Sequence, residues 1–300
     1  GYYDNIGNMS NVGLEIELNG TPVRTRDFTW NVNFNLTWYK NRISYLPEQR
    51  KGMTVYKSTE NGLGDSYQGY SSSNYFYGEG LPMYTFFTKK YAGVDPKTGK
   101  SLYYQSVLDE KGNETGEIQT TTDYANASYY IAGSALAPVY GGFSTQFQYR
   151  DFDLSVAFNY QLGGKVYDSG YASLMGNPTA TGAKGSNIHA DMLNAWTPEN
   201  PNTDVPRLYF GDQYANASSD RFITDASYLS IENINFGYTL PAKITRKAFI
   251  DKVRVYLACD NVWVWSKRQG LDPRQSFTGG NNNTYYAPIR TISGGLTVTF

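Results

Sequence analysis

The chain has 300 residues, with 26 Lys and Arg against 27 Asp and Glu. This balance gives no basic surface for nucleic acid and no acidic tail, so nucleic acid is excluded as a partner. A single cysteine, Cys259, and a single histidine, His189, exclude an internal disulfide and a His/Cys metal cluster. The 28 Tyr, 15 Phe, 5 Trp and 30 Gly favour β-structure. No segment reaches the ~18 consecutive apolar residues of a membrane helix.

Nine segments alternate apolar with polar residues and predict β-strands, because successive side chains of a strand point to opposite faces. In chain order they are 10–18, 27–39, 83–94, 100–108, 139–149, 152–165, 227–240, 251–265 and 288–300. Lys89 and Lys90 interrupt the pattern in the third segment. The seventh segment changes phase near Glu232, which predicts a β-bulge or a strand that continues beyond a membrane.

The lengths and faces of these strands favour a membrane barrel over a soluble sandwich. Several approach the ~9–11 residues that a tilted strand needs to cross a bilayer, whereas sandwich strands average about 5–6 residues. Their polar positions are Asn, Gln, Ser and Thr, which suit a wet lumen. Trp30, Trp38, Trp263 and Trp265 stand near the ends of apolar faces, as interfacial girdles require. The alternative is the aromatic core of a sandwich.

The connections alternate in length, which is typical of outer-membrane barrels with short periplasmic turns and long external loops. The short ones are Thr21-Pro22, 95–99, 150–151 and 241–250, and the long ones are 40–82, 109–138, 166–226 and 266–287. If the chain ends on the periplasmic side at Phe300, nine strands place its first residues on the external side of the membrane. Since single-chain bacterial barrels have an even strand number, we expect residues 1–300 to be the C-terminal portion of one larger barrel domain that lacks its earlier strands.

Several motifs resemble those of one family, in the family's order along the chain. Residues 5–15 are similar to N-x-G-x-M-x-N-x-G-x-E, residues 227–233 to SYLR-x-x-N, and residues 237–241 match GYTLP. Residues 270–273 are similar to G-x-DP, and residues 286–300 to YP-x-x-R followed by GL-x-x-x-F. These motifs resemble the SusC/RagA family of TonB-linked outer-membrane proteins. Two positions depart from its pattern: Ser230 stands where Arg is usual, and Arg274 where Glu is usual.

The resemblance implies a 22-stranded, all-β transmembrane antiparallel barrel closed by an N-terminal plug, of which this chain holds roughly nine strands; the plug is absent from this sequence. It implies TonB-dependent import of an oligosaccharide or oligopeptide. The implied partners are a SusD-like surface lipoprotein, the TonB complex through an absent N-terminal region, the barrel-assembly machinery and the lipid bilayer. The alternatives are a passive porin or structural outer-membrane barrel without energy coupling, and a soluble secreted glycan-active enzyme. The enzyme would require a convergent acidic pair, which the sequence does not indicate.

Candidate site residues lie in the loops and at the end of the chain. Aromatic side chains of a Tyr-rich loop either stack on sugars or peptide side chains or pack loop against loop: Tyr67, Tyr70, Tyr75, Phe76 and Tyr77. The alternating end of the chain resembles the signal that the assembly machinery recognises: Leu296, Val298 and Phe300.

Two further loop features are weighed against ordinary loop structure. A short helix that Ser186 would cap holds Ile188, Met192, Leu193 and Trp196, and His189 on it is expected to be a surface residue rather than a catalytic one. No cofactor is expected, although Asp109, Glu110 and Asn113 offer oxygen ligands for a structural calcium ion. Their spacing lacks a full ligand set, and an ordinary turn is the alternative.

Overall fold

The computed structural model describes residues 7–59, 62–112, 114–176, 187–212, 214–281 and 288–300. Its strands, in chain order, are β1 (Asn8–Arg24), β2 (Phe28–Tyr45), β3 (Met53–Thr59), β4 (Gly62–Ser72), β5 (Tyr75–Gly78), β6 (Thr85–Lys89), β7 (Tyr91–Val94), β8 (Ser101–Leu108), β9 (Glu114–Thr121), β10 (Tyr129–Ser134), β11 (Val139–Tyr149), β12 (Phe152–Leu162), β13 (Lys165–Asp168), β14 (Ile223–Asp225), β15 (Tyr228–Thr239), β16 (Lys252–Ser266), β17 (Gly280–Asn281) and β18 (Thr291–Thr299). The helices are short: α1 (Ser169–Leu174), α2 (Ala242–Thr245) and 3-10 turns at Glu48–Arg50, Ala190–Asn194, Asp220–Phe222, Arg246–Ala248 and Pro273–Gln275. In the described residues, none of the helices has the length and apolar character needed to cross a membrane.

Seven strands form one antiparallel sheet, the wall, in the order β1-β2-β11-β12-β15-β16-β18. Each wall strand therefore lies beside the next wall strand along the chain. The connections between them strictly alternate: 25–27, 150–151 and 240–251 are short, whereas 46–138, 163–227 and 267–290 are long. All short turns thus lie at one end of the wall and all long connections at the other, which is the arrangement of an up-and-down membrane barrel.

Two of the nine predicted wall strands belong elsewhere. Residues 83–94 and 100–108 form β6, β7 and β8 of smaller sheets, so the short connection 95–99 is a hairpin within a long connection. Every residue of β6 is buried, including Lys89, because this strand lies inside packed loops rather than between lipid and water. The predicted turn at Thr21-Pro22 lies within β1, and the chain reverses at residues 25–27.

Register divides the wall into an apolar face and a polar face. One row of directly paired residues on the apolar face is Phe34, Phe143, Phe158, Ile231 and Trp263. The neighbouring row on the polar face is Asn33, Ser144, Ala157, Asn233 and Asp260. Phe143 and Phe158 stack with ring centroids 4.3 Å apart. Cross-strand pairs of this kind hold neighbouring strands in register.

The apolar face is uncovered. Leu14, Leu257 and Leu296 on three wall strands are 56%, 61% and 62% exposed. The clusters of buried apolar side chains instead lie in the long connections, around Phe76, Phe222 and Val166. A soluble sheet buries its apolar face against a second layer, whereas a membrane wall leaves that face to lipid. The all-β membrane-barrel prediction is confirmed.

Aromatic side chains border the apolar face at both ends of the wall. Near the short turns, Phe28, Tyr149, Phe152 and Tyr238 are register partners in one row across four strands. Near the long connections stand Trp38 and Trp265. Phe28 and Trp38 are ten residues apart on β2, and a tilted strand of that length crosses an apolar band of about 25 Å.

The phase change near Glu232 is a β-bulge. Ile231 pairs with Phe158 and Asn233 with Ala157, so Glu232 is an extra residue in β15 opposite β12. Toward β16, the same two residues pair with Trp263 and Asp260, and Asn261 in the resulting irregularity has a φ of 50°. The bulge lets Ile231 and Ile234 remain on the apolar face on either side of it.

The three long connections pack together into one layer, the loop cap. A parallel pair, Tyr167 with Gly280, joins the second connection to the third. A bridge between Lys89 and Ser219 joins the first to the second, where the Tyr91 N–H also donates to Asp220 at 2.7 Å. Because residues of different long connections hydrogen-bond to one another, they form an ordered layer over one end of the wall.

The predicted loop helix is shorter than expected. Ser186 lies outside the described residues, and the regular structure is a 3-10 turn over Ala190–Asn194 with His189 as its N-cap. The His189 Nδ1 accepts from the Asp191 N–H at 3.1 Å. Trp196 lies beyond the turn because its N–H donates to the Val205 carbonyl and its indole to Pro96, which draws the chain away from a helical path.

Candidate functional site

A cavity of about 800 Å³ lies between the polar face of the wall and the underside of the loop cap. Five wall strands contribute to it: β1, β2, β11, β12 and β15. Its wall residues include Gly13, Glu15, Thr37, Tyr39, Asn41, Tyr140, Gln161 and Tyr228, and its cap residues include Met83, Tyr84, Leu136, Lys165, Pro273, Ser276 and Phe277. A cavity of this size at the mouth of a barrel is a typical place for a small ligand.

Two tyrosines form the wall side of the cavity. Tyr39 and Tyr140 meet edge to face with ring centroids 5.9 Å apart. They stand on the polar face because they alternate with Trp38 and Val139, which face the other way. Gly13 lies opposite Tyr39, and a Cβ at Gly13 would come within 2.5 Å of the Trp38 carbonyl oxygen. A side chain at Gly13 would therefore push β1 away from the aromatic pair.

A second aromatic pair forms the cap side. Tyr84 and Phe277 meet edge to face at 5.9 Å, although 193 positions separate them in the chain. Tyr75 supports Tyr84 from behind at 5.6 Å and donates its hydroxyl to the Thr278 carbonyl at 2.6 Å. The neighbouring Met83 N–H donates to the Asn41 side chain of β2 at 2.7 Å, which fixes this part of the cap to the wall.

The charge of the lining is balanced. Among the described lining residues, Glu15 on the wall and Lys165 on the cap are the ionisable groups of opposite sign, and the others are aromatic, amide, hydroxyl or aliphatic. Aromatic faces with a few amide and hydroxyl groups bind polar, uncharged surfaces by stacking and hydrogen bonding. The cavity suits a ligand without a strong net charge.

An ion-pair cluster holds the third long connection against the wall. Arg274 donates to both carboxylate oxygens of Asp272, at 2.9 and 2.8 Å, and to Glu232 on the β15 bulge at 2.7 Å. The Ser230 hydroxyl donates to the same Glu232 carboxylate. The hydrogen bonds that Arg274 donates to Asp272 raise the pKa of the guanidinium above its usual range, so it stays charged. The cluster positions Pro273, Ser276 and Phe277 at the cavity.

The predicted aromatic residues lie in the β4–β5 hairpin, and none of them is among the described residues that line the cavity. Tyr70 stacks on Tyr77 at 5.2 Å, with the Arg50 guanidinium 5.2 Å from the Tyr70 ring. Tyr67 packs against a buried cluster, and Tyr75 supports Tyr84. These tyrosines thus make contacts within the packed loops, and their role toward a ligand stays a prediction.

Sequence reasoning did not single out the aromatic pairs that line the cavity. Tyr39 and Tyr140 stand in predicted strands, and their polar-face positions could have been found from the alternation. Tyr84 and Phe277 meet only through the packing of two loops, for which the sequence offers no signal.

The predicted assembly residues lie on the last wall strand and just after it. Leu296 pairs with Val255 and Val298 with Val253, so both stand on the apolar face. Phe300 follows β18 and is 87% exposed. Recognition of these residues by an assembly machinery stays a prediction.

The candidate calcium ligands lie in an exposed turn. The Asp109 carboxylate accepts from the Lys111 N–H at 2.8 Å, which is the hydrogen bond of an ordinary Asx turn. Glu110 is exposed, and Asn113 lies outside the described residues. No group of three or more metal-binding side chains occurs within the described ranges.

Curated proteins with sequences similar to this chain are named TonB-dependent receptors. No family model matches the chain. It is 29% identical over 318 residues to TonB-dependent receptor P3 of Formosa agariphila, covering 99% of the chain and 29% of the relative. It is 25% identical over 304 residues to TonB-dependent receptor SusC of Bacteroides thetaiotaomicron, covering 99% of the chain and 27% of that protein. The chain therefore spans under a third of the length of these curated relatives.

Solved structures give the same result for the fold. The chain superposes on the RagAB peptide transporter with a TM-score of 0.76 and 26% identity, covering 99% of the chain and 30% of that chain. For the RagAB peptide importer in the closed-closed state the TM-score is 0.74, again at 26% identity and 99% of the chain, with 30% of that chain covered. The resemblance to the SusC/RagA family is thereby confirmed: over essentially its whole length the chain matches TonB-dependent outer-membrane receptors in both sequence and fold.

Proposed function

We propose that this chain contributes wall and mouth to an outer-membrane barrel that imports an oligosaccharide or oligopeptide by TonB-dependent uptake, with a SusD-like lipoprotein as its outer partner. The long connections would face the outside and the short turns the periplasm. The whole barrel, with a plug and further strands, would carry out the transport.

The observation that supports this proposal most directly is the cavity beneath the loop cap. Its aromatic pairs, Tyr39 with Tyr140 and Tyr84 with Phe277, lie between the polar face of the wall and the loops that a ligand from outside would pass. Relatives named TonB-dependent receptors and a neighbour named a peptide transporter support energy-coupled import. A nearly neutral, aromatic lining fits both sugars and peptide backbones.

The test is growth of a deletion strain on defined oligosaccharides and peptides, complemented with full-length protein. Replacing Tyr39 and Tyr140 by Ala removes one aromatic pair, and we expect uptake of the true substrate to fall about fivefold, since a stacked aromatic pair contributes on the order of 1 kcal/mol. Tyr209→Ala is the matched control, because Tyr209 is 58% exposed and lies outside the cavity. Equal uptake by both variants, at equal surface abundance, would contradict a substrate role for the cavity.

Energy coupling separates import from passive diffusion. Removing TonB, or collapsing the proton gradient, should abolish accumulation of the substrate if the proposal holds. A passive porin would continue to equilibrate the same compound. Uptake that persists without TonB would therefore assign the barrel to the porin class.

A further inference from the structure

The turn that joins β15 to β16, residues 240–251, combines exposed apolar side chains with exposed cations. Ile244 is 59% exposed and Phe249 is 93% exposed. Lys243, Arg246 and Lys247 alternate with them along α2 and the following 3-10 turn, and all three are exposed. Within the described part of the chain, none of these three cations forms an ion pair. Neither group of side chains is used for packing this turn against the wall.

The backbone of the turn holds Phe249 in an unfavourable conformation. Its φ is 58°, and its N–H donates to the Arg246 carbonyl while the next N–H, of Ile250, donates to Thr245. This is the left-handed position that ends a helical turn, where glycine is the usual residue. A bulky residue at positive φ is uncommon and costs free energy, and an exposed ring recovers none of it through packing. An aromatic ring at this place therefore indicates a contact outside the chain.

The turn lies at the level where a bilayer surface is expected. It starts two residues after Tyr238, which belongs to the aromatic row Phe28, Tyr149, Phe152 and Tyr238 at the short-turn end of the apolar face. Two residues of strand span roughly 7 Å, which is within the thickness of a headgroup layer. Side chains of this turn therefore emerge beside the lipid headgroups rather than far out in solvent.

The charge of the whole short-turn end is positive. The adjacent turns add exposed Arg24, Arg26, Arg150 and Lys252 to the three cations of the turn. The exposed acids of these turns are Asp27, Asp151 and Asp251, and Asp27 already lies 3.6 Å from the Arg150 guanidinium. Seven cations against three acids give a surface that attracts anions.

We propose that residues 240–251 form an interfacial anchor that binds anionic phospholipid headgroups in the leaflet at the short-turn end of the wall. Lys243, Arg246 and Lys247 contact the phosphates, while Phe249 and Ile244 insert at the boundary between headgroups and acyl chains. Anionic headgroups would bind the basic side chains, and the adjoining acyl chains would take up the apolar ones. An acidic soluble protein would account for the cations but not for the exposed apolar side chains. The anchor would fix the height and tilt of the barrel in the membrane.

The first test measures lipid association with the full-length protein. Reconstituted protein is mixed with spin-labelled phosphatidylglycerol or phosphatidylcholine, and the fraction of immobilised lipid gives their relative association constant. We expect preference for phosphatidylglycerol to fall by up to about fivefold for each cation removed in K243Q/R246Q/K247Q. The matched control K97Q/K100Q/K111Q removes three exposed cations of the loop cap and should leave the preference unchanged. An equal preference in both variants would overturn the proposal.

The second test locates the ring itself. A nitroxide at position 249, in Phe249→Cys combined with Cys259→Ala, should collide with dissolved oxygen more than with a water-soluble nickel chelate in vesicles of phosphatidylcholine and phosphatidylglycerol. A label that collides mainly with the chelate would place Phe249 in water and overturn the proposal. A label that becomes shielded only when soluble periplasmic proteins are added would assign the turn to a protein partner, which also contradicts it.

Discussion

Arg274 donates three side-chain hydrogen bonds to two carboxylates, those of Asp272 and Glu232, at the point where the third long connection meets the wall. Its side chain is 18% exposed, and its partners Asp272 and Glu232 are 11% and 27% exposed, so water screens these ion pairs only partly. Ser230 and Arg274 are two positions where the sequence departs from the motif pattern of the SusC/RagA family that it resembles. In the structure both contact Glu232, so the two departures meet at one carboxylate.

Replacing Arg274 should loosen the third long connection. In Arg274→Ala, Glu232 and Asp272 lose their shared cation, and we expect the connection to be destabilised by about 2 kcal/mol. Arg274→Lys should give an intermediate loss, because an ammonium group cannot donate to two oxygens in the same fork. Limited proteolysis of the full-length protein within 267–290 measures the effect. Unchanged resistance in Arg274→Ala would contradict the pairing.

Asp220 gives the loop cap a dependence on pH. Burial raises the pKa of its carboxyl above the ordinary value, while its oxygen accepts from the Tyr91 N–H. The folded state thus binds a proton more readily than the unfolded state, so this group stabilises the cap in acid and the benefit is lost as pH rises through the raised pKa.

Asp220→Asn should therefore stabilise the cap at neutral pH, since the amide oxygen still accepts from Tyr91 and the buried charge is removed. We expect a gain on the order of 1 kcal/mol at pH 7 that disappears below about pH 4. Amide hydrogen exchange of residues around Tyr91 measures it. Asp123→Asn, at an exposed position of the same cap, is the control and should show no comparable gain. A gain that is the same at both pH values would contradict the burial argument.

At the scale of elements, the alternation of apolar with polar residues and the alternation of connection lengths predicted the seven wall strands. They did so because every strand of a membrane wall has one apolar face toward lipid and one polar face. The same alternation misassigned 83–94 and 100–108, since small loop sheets also have two faces. Burial distinguishes the two cases: β6 is buried throughout, whereas wall strands such as β18 are largely exposed. The cavity followed from the sequence only in part, because Tyr84 and Phe277 meet through loop packing that no local pattern encodes.

The bulge in β15 and β16 is an element whose backbone can be tested. Asn261 has a φ of 50°, which glycine adopts freely and a β-branched residue does not. Asn261→Val should destabilise the full-length barrel by about 1–3 kcal/mol, whereas Asn261→Gly should be close to neutral. Urea-dependent unfolding in lipid vesicles gives both values. Equal stability of the two variants would show that the bulge imposes no such conformation.

At the scale of the whole molecule, the wall has two unlike faces and two unlike ends. Lipid-facing aromatic and aliphatic side chains cover one face, and amide, hydroxyl and charged side chains cover the other. The ordered loop cap closes over one end, while the other carries short turns and a surplus of cations. This polarity fits the import proposed above, with ligand capture at the capped end. That residues 1–300 form the C-terminal portion of a single larger barrel domain stays a prediction.

The assignment of the two faces is tested most directly by scanning β11. Each residue of Val139–Tyr149 is replaced in turn by a spin-labelled cysteine in full-length protein carrying Cys259→Ala, reconstituted in a bilayer. The structure predicts a two-residue period: odd positions, such as Phe143, collide with oxygen dissolved in lipid, and even positions, such as Ser144, collide with a water-soluble nickel chelate. Uniform accessibility along the strand, or lipid contact at the even positions, would contradict the membrane wall.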